Sequence, residues 1–108
     1  MGKYDFKVNI NPIEAIKLIK HNQNADLVHE EIIDLGEGKS IGILIFEKYY
    51  FRAENRAALT VIIDNAKGVT IVKSIATGSS KGLFFNFDWG AADDFAYSVR
   101  KILEAYVV

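Results

Sequence analysis

The middle of the chain leaves few folds open. Between residues 27 and 76, four stretches of strand character follow one another with only short polar or glycine-rich steps between them. These stretches cover residues 27–35, 40 to about 52, 57–63 and 69–76. The steps are Gly36-Glu37-Gly38-Lys39, the polar run around Arg52, Glu54, Asn55 and Arg56, and Asp64-Asn65-Ala66-Lys67-Gly68. Parallel pairing needs a crossover of about a dozen residues or more, so strands joined this closely must pair antiparallel, as a meander.

The flanks complete the element list. Residues 3–10 alternate, with Tyr4, Phe6, Val8 and Ile10 on one side and Lys3, Asp5, Lys7 and Asn9 on the other, which predicts a strand with one wet face. Asn11, Pro12 and Glu14 then form a helix start: a cap, a proline at the first helical position and a carboxylate able to reach back. Ile13, Ile16 and Ile19 are the predicted buried stripe of this helix, which fades at His21-Asn22-Gln23-Asn24. The last element is a long helix, with Asp88 as N-cap, Asp93 and Asp94 near its positive start, and Arg100 and Lys101 near its end. Ala92, Phe95, Ala96, Val99, Ile102, Leu103 and Tyr106 give it a wide apolar face.

The predicted order is β-α-β-β-β-β-α, an α+β domain over residues 1–108 with a short N-terminal and a long C-terminal helix on an antiparallel meander. That order resembles a reduced helix-grip fold, in which a curved sheet wraps a long C-terminal helix; the resemblance implies a fold and no activity.

Composition excludes several classes. Thirteen basic and fourteen acidic side chains give a net charge of −1, without the basic excess that phosphate neutralisation requires, so nucleic acid is not an expected partner. There is no cysteine, hence no disulfide, thiolate nucleophile or common zinc site. No apolar run approaches the roughly 20 residues of a membrane span, and the charged start Met-Gly-Lys-Tyr is not followed by a signal-type apolar stretch. A cytoplasmic protein without membrane contact is expected.

The central strands carry apolar residues on both sides. In the third, Ile41, Ile43 and Ile45 oppose Leu44 and Phe46; in the fourth, Leu59, Val61 and Ile63 oppose Ala58 and Ile62. A sheet with helices on one face normally turns polar residues outward on the other. Curvature, a ligand or a second subunit must therefore cover the second face, and a homodimer through the sheet is the first expectation.

Chemistry-bearing residues are sparse. His21 and His29 lack metal-binding spacing, and no metal or other cofactor is expected. Neighbouring Glu30 and Glu31 face opposite sides of a strand, so they form no acid/base pair. In Gly78-Ser79-Ser80-Lys81-Gly82 the glycines would let backbone N–H groups converge and Lys81 adds charge, but the P-loop spacing is missing and the run also suits a plain turn. Arg52, Glu54, Asn55 and Arg56 could grip a carboxylate or phosphate, or form a surface salt-bridged turn. In a meander both clusters fall on one rim, near Asp88 and Trp89 at the start of the last helix. An anion is expected there rather than at the Gly36–Gly38 end. No catalytic residue is assigned.

Two aromatic-rich segments are distinctive in wording. Phe46-Glu47-Lys48-Tyr49-Tyr50-Phe51-Arg52 belongs to a segment over 46–59, and Leu83-Phe84-Phe85-Asn86-Phe87-Asp88-Trp89 to one over 76–95. Both are similar to segments of an uncharacterised family of small bacterial proteins of unknown function, which implies no activity. The expected function is a non-enzymatic binding or self-associating module. The alternative is a carrier of a small anionic or apolar ligand, with an apolar pocket between sheet and C-terminal helix.

Overall fold

A computed structural model describes residues 2–51, 55–78 and 89–108, with the backbone alone at Asn55 and Trp89. The elements are β1 (Gly2–Val8), α1 (Pro12–Asn22), β2 (Asp26–Gly36), β3 (Lys39–Tyr50), β4 (Asn55–Asp64), β5 (Thr70–Gly78) and α2 (Trp89–Ile102), followed by a 3₁₀ turn (Glu104–Tyr106). The strands form one antiparallel sheet in the order β1-β5-β4-β3-β2. The β-α-β-β-β-β-α order and the antiparallel α+β class read from the sequence are those of the structure.

Local chemistry sets the turns. The β2–β3 hairpin closes through Glu37 and Gly38, both at positive φ (56° and 77°). A two-residue loop of this kind matches the right-handed twist of the strands and favours glycine. Asp34 Oδ1 accepts the Gly36 N–H at 2.8 Å. Asn65, in the β4–β5 turn, ties this hairpin down: its Oδ1 accepts the Ser40 N–H at 2.9 Å and its Nδ2 donates to Gly38 O at 3.1 Å.

Helix α1 starts as expected. Asn11 Oδ1 accepts the Glu14 N–H, and the Glu14 carboxylate reaches back to the Asn11 side-chain amide, each at 2.9 Å. Its buried stripe differs from the prediction: Ala15, Ile16 and Ile19 are buried, but Ile13 is 38% exposed. A helix face spans only about 100°, and the stripe that meets the sheet turns away from Ile13. In α2, Asp93 and Asp94 lie beyond the first turn, because the helix begins at Trp89. Asp93 instead accepts the Tyr4 hydroxyl at 2.7 Å. Asp88 is outside the described residues.

Both described helices lie on one face of the sheet, and among the described residues no helix lies on the other. Leu44, Phe46, Leu59, Val61, Ile63, Val72 and Ala76 point to them, and Ala92, Phe95, Ala96, Val99 and Leu103 of the C-terminal segment point back. Full burial of each large apolar side chain is worth roughly 1.5–3 kcal/mol. Gly42 lets Ile16 rest directly on β3. Buried Ser74 donates its hydroxyl to Ala96 O at 2.8 Å, fixing α2 against β5.

The two sheet edges differ. The last residues cover the end of the β1 edge: Val107 bridges Val8, Val108 N–H donates to Lys7 O at 3.0 Å, and Asn9 N–H donates to Tyr106 O at 2.9 Å. At the other edge every residue of β2 is exposed.

Candidate functional site

Of the residues singled out in the sequence, Arg52, Glu54, Ser79, Ser80, Lys81 and Asp88 lie outside the described residues. Asn55 opens β4 opposite Tyr50, and Trp89 opens α2. Arg56 is exposed on the helix-free face, with Nη1 3.7 Å from Glu47 Oε1. Both partners are about half exposed, so the pair is worth about 0–1 kcal/mol and forms no closed cleft. Tyr49, Tyr50 and Phe51 divide as strand alternation demands. Tyr50 turns inward, edge-on to Phe95 at 5.9 Å, whereas Tyr49 and Phe51 are exposed and stack edge-on with each other at 5.0 Å.

The helix-free face has an apolar centre and a polar rim. Ile33 of β2 faces Ile41 of β3, and Ile43 of β3 faces Ile62 of β4, with Ile45 beside them on the same face. The β3 and β4 members of this group are only partly buried, and Ile33 is exposed. Around them stand Glu31, Glu47, Thr60, Asp64 and Lys73 on the same face. Strand geometry makes the centre roughly 10 Å across the strands and 14 Å along them. Ile71 and Ile75 lie beyond it on β5, flanking Lys73.

A cleft opens on the helix side, where the end of α1 meets α2. Asn22, Gln23, Asn24, Ser98, Lys101 and Ile102 line a volume of about 440 Å³. An adjoining hollow of about 280 Å³ reaches Lys48, Tyr50, Asp94 and Phe95. Gln23 Nε2 donates to Ser98 Oγ at 2.9 Å, and that hydroxyl donates to Phe95 O at 2.7 Å. Burial, and after it the negative charge of Asp94, push the Tyr50 hydroxyl up to about 12, so it stays protonated near neutrality. A protonated phenol, amides and lysines can hydrogen-bond a ligand, but they make no nucleophile–base pair. His29 is elsewhere, exposed and 3.3 Å from Glu31. Among the described residues no cluster of histidine and carboxylate side chains could hold a metal ion, and no helix is long and apolar enough to cross a membrane.

A family model matches residues 1–107, almost the whole chain, and its description is a family of unknown function, DUF6054. The chain belongs to DUF6054. No curated protein and no solved structure gives a significant match. Membership in DUF6054 names no activity, so functional argument must start from this chain's own surfaces.

Sequence reasoning found the double-sided apolar strands and therefore the open face. It missed the cleft, whose lining comes from the end of α1, the end of β3 and one side of α2. None of Gln23, Lys48, Ser98 or Lys101 carries a motif; the fold alone brings them together.

Proposed function

We propose that this member of DUF6054 is a non-enzymatic module that associates with a second copy of itself across the helix-free face of its sheet. The observation that carries this is the group Ile33, Ile41, Ile43, Ile45 and Ile62, which no described helix covers, set on three adjacent strands within a rim of mixed charge. An apolar centre with a polar rim is the anatomy of a protein interface. Two such sheets stack about 10 Å apart with their side chains interleaved. Sedimentation equilibrium at roughly 10–100 μM tests it. The wild type should exceed monomer mass, and Ile62→Lys should lower that mass while the far-UV spectrum is kept; Ile62→Thr, which keeps the branched Cβ, controls for folding. A wild type that is monomeric throughout overturns the reading.

One observation favours a small-ligand carrier instead. The hollow between Tyr50 on β3 and Asp94 and Phe95 on α2 joins the larger cleft at Gln23 and Ser98. Mass spectrometry of small molecules that copurify with the protein separates the two readings.

A further inference from the structure

We infer that β2 is a second self-association surface, one that pairs antiparallel with β2 of another copy to make a continuous ten-stranded sheet. It uses the strand edge rather than the sheet face, shares Ile33 with the face contact, and is tested separately from it.

The first ground is the contrast between the edges. Edge strands expose unpaired N–H and C=O groups, and folds that stay monomeric cover or blunt them. Here backbone bonds from Tyr106 and Val108 cover the end of the β1 edge, at Lys7 and Asn9. The β2 edge, eleven residues and roughly 37 Å long, is exposed from Asp26 to Gly36.

The second ground is the apolar load. Leu27, Val28, Ile32, Ile33 and Leu35 are all 39–53% exposed. On the inner side Ile32 and exposed Ile13 of α1 border a hollow of about 300 Å³, together with Asp34, Gly38, Lys39 and Ser40. A two-fold mate would bring its own Ile32 and Ile13 toward this hollow from across the seam. On the outer side, pairing would join the two Ile33–Ile41–Ile43–Ile45 groups into one strip.

The third ground concerns the acids that would otherwise guard this edge. Glu30 is held by Lys20 Nζ of α1 through both oxygens, at 2.9 and 3.0 Å. Glu31 lies 3.3 Å from His29 Nε2, and Asp34 caps the Gly36 N–H. Counted along the strand, a two-fold centred on Ile33 sets it against its own copy. It then faces Glu30, Glu31 and Asp34 with Gly36, Leu35 and Ile32 rather than with another acid. Register shifts between Leu27 and His29 and between Asp34 and Gly36 add twist toward both ends of the strand.

The chain has no cysteine, so Ile32→Cys introduces a sole thiol at an exposed position. Ile32 points to the helix side, and in this pairing the two copies sit as diagonal neighbours, within reach of a bismaleimide spanning about 8 Å. In a face-to-face stack the same residues lie on opposite outer sides, well over 10 Å apart. The expected result is a crosslinked dimer whose yield rises with protein concentration and survives addition of Ile62→Lys. In the wild type, β2 amides pointing away from β3 should exchange at least about tenfold more slowly at high than at low concentration. Absence of the crosslink together with concentration-independent β2 exchange overturns the inference. Loss of mass in Ile62→Lys alone bears only on the face contact.

Discussion

Gly42 permits a sharp test of how α1 is seated. It lies on the inner face of β3, and a methyl group built there would overlap Cδ1 of Ile16 and stand 3.1 Å from its Cγ1. Ile16 is 2% exposed, so its Cδ1 can give way only within the core. Overpacking of this kind costs about 1–3 kcal/mol, offset by the roughly 0.5–1 kcal/mol that alanine gains over glycine within a strand. Gly42→Ala should thus destabilise by about 0.5–2 kcal/mol, and each kcal/mol lowers Tm by roughly 4–5 °C in a domain this size. The overlapping atom is specific, so Ile16→Val, which removes it, is the informative partner. Alone, Ile16→Val should cost about 0.5–1.5 kcal/mol. In the Gly42→Ala background it should cost nothing or restore stability, a coupling of about 1 kcal/mol. Urea and thermal unfolding of the four proteins by circular dichroism measures this directly. Additivity within about 0.5 kcal/mol would refute the contact and the seating of α1 on β3.

Two further outcomes follow from buried groups. Ser74→Ala removes the hydroxyl that binds Ala96 O and should lower the urea midpoint by about 0.5–1.5 kcal/mol equivalent with an unchanged slope; no change would mean that α2 does not depend on this bond. Tyr50 ionises near 10 when unfolded and near 12 when folded, so across that window the unfolded chain has released a proton that the folded chain keeps. Stability should therefore fall as pH rises from 10 to 12, and Tyr50→Phe should fall less steeply in the same denaturation series.

The element order was legible because strand and helix periods are local. Alternation in Lys3-Tyr4-Asp5-Phe6 and the three- and four-residue spacing of Ala92, Phe95, Ala96 and Val99 need no tertiary information. Ile13 shows where that reasoning ends: its spacing from Ile16 fits a stripe, but only the seating of α1 decides which side of a stripe meets the sheet. Asp93 and Asp94 were read through the helix dipole, whereas the hydroxyl of Tyr4, eighty-nine residues away in the chain, turned out to engage Asp93. The open isoleucine face was visible in the alternation of β3 and β4. The bareness of β2 was not, since Leu27, Ile32 and Leu35 look like core residues until the strand's place at the sheet edge is known.

The pairing of β1 with β5 has a consequence for the order in which the fold is made. Gly2 lies opposite Ala76 and Val8 opposite Thr70, so β1, made before the other four strands, has no sheet partner until β5 has emerged. The β2–β5 meander closes through short turns and can assemble while synthesis continues, but joining β1 means closing a loop of more than sixty residues. Loop-closure entropy grows only slowly with length, yet contacts this distant in sequence are the ones that slow folding. The backbone bonds of Tyr106 with Asn9 and of Val108 with Lys7 come later still. The edge strand β1 is thus among the last to be locked in place, and the lock at its end is supplied by residues about a hundred positions further along.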